Sequence, residues 1–472
     1  MVRTLFVCAL LLTLPCTSRA QKSPGSMETR VQLLVQPMAV PRPALKYQLL
    51  PELAEMNPGN PIQGYLKCFG EQRGFFFDKN SIKNREKWET MTLTDLPLQE
   101  LREYGHMPLH QADYAARLDT PDWQVLLQAK REGIAVPLPE VPQLRALASA
   151  LKVRCRAEVA ERRFDDAVRT AKTLFALARH LGEHPTLISN LMGIHIANLA
   201  LGPLEEMIQQ PGCPNLYWAL TNLPDPLLSL RKGFQAEELV LQAHFAGIQE
   251  GVPMSEAELK ENSPLSQVVS RLALIDSFKK EIEVWLEDRV SDNTFVSAAR
   301  KRLVDAGLPE ERVKAFPATQ VVWLDDKREY QAGLHDRVKW MGLPYWQAEA
   351  GSLASRAAER DNTLYGRFLQ ETFPEGSDLL KVRKIQTRLE QRIALLRHVE
   401  ALRLYAAGHD GKLPAALEAV TVPLPVDPFT GKPFVYRLEE ETAVLRGGAP
   451  KGEEANPVYN LRYRVTIKKA QG

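Results

Sequence analysis

The residues best placed by type and spacing to do chemistry are His180-Leu181-Gly182-Glu183-His184. The string H-x-x-E-H is the ligand order of the inverted zinc peptidases, where two imidazoles hold the metal and the glutamate works on a bound water. A zinc pair at i and i+4 needs both rings on one face of an unbroken helix. Gly182 stands between them and costs a helix roughly 1 kcal/mol relative to alanine. His184 precedes Pro185, and a residue before proline avoids the helical region. The expectation is therefore that His180 lies in the last turn of one helix, as a cation opposing its dipole. Gly182 then ends that helix, His184-Pro185 opens the next, and no metal is bound.

The other sites weaken on the same kind of test. His106 and His110 share the spacing, but Pro108 lies between them and should interrupt the helix. His195 sits in an apolar run with Asn198 one turn away, which reads as a core histidine bonded to a buried amide. The chain has no G-x-S-x-G, no Walker loop and no dinucleotide fingerprint. Glu205-Glu206 and Glu439-Glu440-Glu441 read as solvated faces. In "PNLYWALTNLP", Asn215 can cap a short helix, and Tyr217 and Trp218 carry polar handles on large apolar bodies. Rings of this kind anchor interfaces as well as cores, so Asn215, Tyr217 and Trp218 are the candidate partner-binding residues.

The elements that position these residues are mostly helices. Apolar residues recur at intervals of three and four in "PQLRALASALKVRCRAEVAE" and in "RRFDDAVRTAKTLFALARHL". Between Leu187 and Leu204 nearly every face is apolar, the mark of a helix surrounded on all sides. Residues 141–375 are expected to form an α-helical domain of antiparallel neighbours. Within it, Asn293 is the expected cap of a helix ending near Gly307. Residues 21–140 are proline-rich and read as an irregular arm, with an edge strand at Val31 to Val35 and short helices at Pro61 to Gly70, Leu98 to Tyr104 and His110 to Leu118. Residues 376–472 read as one long helix from Ser377 to Ala407, a left-handed cap at Gly408, the turn "DPFTGKP" and a small antiparallel sheet.

Residues 1–20, "MVRTLFVCALLLTLPCTSRA", combine Arg3, a short apolar run and small residues before the end, the pattern of a secretory signal peptide. Pro15 and Leu14 make Cys16 a poor lipidation site. No later stretch is expected to reach the apolar length of a membrane helix. Removing the signal removes Arg3 and Arg19 and no acid, so 58 basic residues face 58 acidic ones. A neutral chain without a basic block has no electrostatic footprint for nucleic acid. Cys68, Cys155 and Cys213 then remain, too few and too odd for a disulfide framework, and read as small buried apolar groups.

Several stretches carry three resemblances. "ERRFDDAVRTA" resembles the inter-helix turn of tetratricopeptide repeats, with Phe164 and Ala167 at its aromatic and small positions, although no second copy follows about 34 residues away. "LRLYAAGHDGKLPAALEAV" and "VDPFTGKPFVYRL" resemble the soluble part of the major pseudopilins of type II secretion. That resemblance implies a long helix, two tight turns and a small sheet, with calcium in the nearby loops in some members. The chain departs from it in lacking a prepilin peptidase site before the helix. The strings "RFDDAVRTAKTLFALARHLGEHPTLISNLMGIHIANLA" and "IQQPGCPNLYWALTNLP" and the tail resemble a group of exported planctomycete proteins of unassigned activity.

The fold class expected is mainly α: an irregular N-terminal arm, a tetratricopeptide-like hairpin domain and a small pseudopilin-like α/β domain. The function expected is a non-enzymatic helical scaffold of the periplasm or cell envelope, with no cofactor, whose partner is another exported protein. A metal-dependent hydrolase of peptide or cell-wall material and an accessory factor of the secretion machinery are the alternatives.

Overall fold

The computed structural model describes residues 28–70, 72–133, 136–264, 276–356, 363–364, 366–367 and 379–468. The expected signal segment, the beginning of the arm, residues 266–275 of an expected helix and the expected helix start at Ser377 lie outside the described residues. The protein is mainly helical with one small sheet.

Three helices make the centre: α1 (Glu140–Ala160), α2 (Phe164–Gly182) and α3 (Leu187–Met207). Arg162 adopts a left-handed φ of 59° and turns the chain back between α1 and α2. Along α2, Ala167, Ala171, Leu174, Phe175, Ala178 and Leu181 are buried, while Arg169 and Arg179 are exposed. The first half of α2 is one-sided, as the spacing implies, whereas every residue from Thr173 to Ala178 is buried. α3 is buried on nearly every side and packs on α1 and α2. It is also long and apolar enough to cross a membrane by length and composition, contrary to the expectation that no later stretch would be. In the fold, 72% of its apolar window is buried against other helices.

The arm contains more helix than its prolines suggested. Short helices occur at Pro61–Lys67, Leu98–Leu101 and His106–Ala115, and further ones at Arg73–Phe77, Lys79–Thr90 and Leu126–Glu132. Beyond the centre lie α4 (Arg231–His244) and α5 (Ala318–Val338), which pack together. The helix Asn293–Asp305 is capped by Asp292, not by Asn293. The Asp292 carboxylate accepts from the Thr294 and Phe295 N–H groups at 2.8 and 3.1 Å, which shifts the boundary by one residue.

The long helix α6 (Leu379–Ala407) runs against α3 and the sheet. It ends as expected near Gly408, but the left-handed residues are Asp410 and Gly411, at φ 51° and 76°. The Gly411 N–H returns to the Ala406 carbonyl at 2.9 Å.

The sheet has the order β1-β4-β3-β2, from β1 (Thr29–Val35), β2 (Val435–Glu439), β3 (Thr442–Arg446) and β4 (Leu461–Ile467). β2, β3 and β4 form the antiparallel set that the tail implied. β1 is an edge strand, as expected, but it lies parallel to β4. Strict alternation along β1 buries Val31, Leu33 and Val35 and exposes Arg30, Gln32 and Leu34. Full burial of such side chains contributes roughly 1.5–3 kcal/mol each, so β1 is held as firmly as a core element.

Candidate functional site

The pentapeptide is divided between two helices. α2 stops at Gly182, Glu183 is its C-cap, and Thr186 at φ −130° and ψ 140° caps α3. The three polar side chains turn to three different partners. His180 Nδ1 lies 3.0 Å from the Tyr65 hydroxyl. Glu183 pairs outward with Lys232 of α4 at 2.6 Å. His184 is fully buried, and its Nδ1 accepts from the Thr186 N–H at 3.1 Å. Its ring proton therefore sits on Nε2, which faces the Glu140 carboxylate at 3.6 Å. Trp123 braces both halves: its Nε1–H donates to the His180 carbonyl at 3.0 Å, and its ring meets that of His184 edge-on at 4.6 Å.

His180 is not the dipole-opposing cation that its place in the last turn suggested. Burial, with Arg179 adding to it, lowers its pKa to about 4, so the imidazole is neutral at physiological pH. The side chain lies under Tyr65 of the arm, which covers a face that the helix alone would leave wet.

His106 and His110 are brought together, contrary to expectation. Pro108 falls in the first turn of the helix His106–Ala115, where its missing N–H has no partner to lose, and the helix continues. The rings stand 4.7 Å apart, both exposed. The nearest carboxylate, Asp113, is held elsewhere: Arg154 grips it with two hydrogen bonds of 3.0 and 2.6 Å, and Thr173 donates to it at 2.7 Å. Asn198 does not bond His195. Its amide donates to the Ile194 carbonyl, and its oxygen accepts from Arg392. Among the described residues, no group of three or more His, Cys, Asp or Glu side chains is arranged to hold a metal ion.

The partner-binding segment is largely used inside the fold. Asn215 and Tyr217 are buried, and only Trp218 is partly accessible. The Asn215 amide donates to the Glu400 and Met38 carbonyls at 2.9 and 3.4 Å, and its oxygen accepts from the Tyr217 N–H at 3.0 Å, although the N-cap of the short helix is Leu216 and not Asn215. The Tyr217 hydroxyl donates to the Pro423 carbonyl. The polar handles therefore tie the arm, the centre and the tail to one another. Both the Asn215 amide and the Tyr217 phenol thus donate to acceptors inside the fold.

Glu205 and Glu206 are buried, not solvated. Each receives a two-bond arginine fork from another helix: Arg392 of α6 on Glu205 at 2.9 and 2.8 Å, and Arg156 of α1 on Glu206 at 2.7 and 2.8 Å. The Tyr463 hydroxyl of β4 donates to Glu205 at 2.6 Å. A third pair, Glu400 and Arg403, is fully buried within α6 at 2.8 Å. Arg403 also reaches the carbonyls of Gln36 and Cys213 at 3.0 and 2.8 Å. Burial raises the pKa of Glu400, and Arg403 pulls it back. An adjacent pair of acids with no nearby base in the sequence looks like surface. Their arginines lie 187 and 50 residues away.

In the turn "DPFTGKP", Asp427 is 1% exposed. Its carboxylate accepts from Gln391 Nε2 and from the Phe429 and Gly448 N–H groups at 3.0, 3.0 and 2.5 Å. With these donors in place, the carboxylate holds the turn together. The three cysteines are free and buried. Burial pushes the thiols of Cys68 and Cys213 up to about 12, which makes them unreactive. Compared with known proteins, the chain matches no family model, no curated sequence and no solved structure.

Proposed function

We propose that the protein is an exported, non-enzymatic helical scaffold that binds another protein of the cell envelope. The observation that carries this reading is the use made of the buried charged groups. Arg156–Glu206, Arg392–Glu205 and Arg403–Glu400 bind helices, arm and sheet to one another, with their donors and acceptors turned on the fold itself. A hydrolase needs such groups free at a cleft, and the metal reading loses its premise once His180, Glu183 and His184 diverge.

Two finer readings belong with this proposal. α1 and α2 are one degenerate tetratricopeptide-like hairpin, supported by Ala167 packing where Cys155 reaches its carbonyl at 3.4 Å. Residues 376–472 form a pseudopilin-like unit, supported by the order of long helix, Asp427 turn and antiparallel strands. The test is crosslinked capture of the full mature chain from native envelopes, followed by rebinding of each purified partner. A saturable complex with one exported protein is the expected result. A monomer that retains no partner, or hydrolysis of peptidoglycan by the pure chain, would overturn the reading.

A further inference from the structure

The outer face of the sheet carries an arrangement that the fold does not require. The register sets Arg30 of β1 opposite Arg462 of β4, and Arg462 opposite Arg446 of β3. Three guanidinium groups thus share one row across three strands. The next row on the same face holds Gln32, Arg464, Val444 and Arg437. Like charges directly opposite on a sheet repel, and strands lie only about 4.8 Å apart. Five arginines therefore stand against two carboxylates, Glu28 and Glu439, in a chain whose formal charge is only +2 over 472 residues.

The two carboxylates show what the spacing accepts. Glu28 lies 3.7, 3.8 and 3.3 Å from Arg30, Arg446 and Arg462. Glu439 lies 3.6 and 2.8 Å from Arg462 and Arg464. Each is a carboxylate within 4 Å of two or three guanidinium groups, with one hydrogen bond apiece: Arg462 donates to Glu28 at 3.3 Å and Arg464 to Glu439 at 2.8 Å. Donors remain within reach of a partner: the Arg30 and Arg446 side chains are 51% and 50% exposed. Leu34 and Val435, exposed at 48% and 55%, lie on the same face at the two edge strands.

We propose that this face docks an acidic, partly apolar segment of another exported protein, with aspartate or glutamate side chains entering the arginine rows. The proposal rests on the scaffold reading and names its surface. A uniformly phosphorylated polymer would satisfy the arginines but leave Leu34 and Val435 in water, whereas a peptide alternating acids with apolar residues covers both.

The test uses the full mature chain and a fluorescein-labelled peptide of alternating glutamate and leucine, followed by anisotropy at low and high salt. The triple variant R30Q/R446Q/R464Q should bind the peptide at least about tenfold more weakly and lose the salt dependence. The variant K301Q/R312Q/K314Q, with the same change of charge on another surface, should bind as the parent does. The sheet triple should melt close to the parent, because the repulsion it relieves between Arg30, Arg462 and Arg446 offsets the partly exposed ion pairs it removes from Glu28 and Glu439. Equal weakening in both triples, no binding by the parent, or tighter binding of polyphosphate than of the peptide would overturn the proposal. If an envelope partner is captured equally by the parent and the sheet triple, the surface assignment fails and the scaffold reading stands. If the parent captures none while the peptide results hold, the scaffold reading fails and the acid-binding face stands.

Discussion

Arg392 and Glu205 face each other across α6 and α3 through two hydrogen bonds of 2.9 and 2.8 Å, and Tyr463 of the sheet closes on the same carboxylate. One side chain thus joins the central helix, the long helix and the middle strand. Removing one partner of a buried pair strands the other charge, which costs roughly 3–5 kcal/mol. Arg392→Met should therefore destabilise strongly, and the double variant Arg392→Met/Glu205→Leu by less than the single one. Denaturant melts of the three proteins check this. A double variant worse than the single would show that the pair does not act as a unit.

Glu158 gives a dependence on pH between about 4.5 and 7. Burial pushes its carboxyl up to about 7, against the pull of Arg154 and the Thr170 hydroxyl, which donates at 2.7 Å. The folded pKa lies above the unfolded value of 4.5. Its stabilising contribution is therefore fully present below about pH 4.5 and is lost as pH rises through 7, by up to roughly 3 kcal/mol. Glu158→Gln should equal the parent at pH 4.5 and exceed it in melting temperature at pH 8. The same difference at both pH values would contradict this account.

His180 has the opposite sign. Its folded pKa of about 4 lies below the ordinary 6.5. Its contribution is present above pH 6.5 and is lost as pH falls toward 4, on the order of 3 kcal/mol at the end of that window. Replacing it with glutamine should narrow the gap in melting temperature between pH 7.5 and pH 5. An NMR titration should find its ring neutral throughout that range, and an imidazolium at pH 6 would refute the burial argument.

β1 tests whether the arm is an appendage. Leu33 is 3% exposed and packed in the core. Leu33→Ala should cost about 2–5 kcal/mol and lower the single melting transition of the whole chain. An unchanged main transition would mean that the strand detaches without consequence.

What could be read from the sequence follows how local each signal is. The all-round apolar run of α3, the break at Gly182 and the turn at Asp427 are set by residues within a few positions, and each appears where composition put it. Pro108 misled because a proline's effect depends on where the helix begins, which the sequence did not mark. Glu205 and Glu206 misled because their partners, Arg392 and Arg156, are remote, and the internal partner of Asn215, the Glu400 carbonyl, is equally remote. The small net charge of +2 hid the arginine rows, since strand register alone collects residues 30, 446 and 462 onto one face.

The parallel pairing of residues 29–35 with residues 461–467 also sets a schedule. A ribosome issues the first of these strands hundreds of residues before its neighbour exists. Until that neighbour arrives, Val31, Leu33 and Val35 have no sheet to enter. A product cut short before Leu461 would carry an orphaned strand with a greasy face, a mark that proteases and holding chaperones can read. Completion of the last strand is thus what removes that mark.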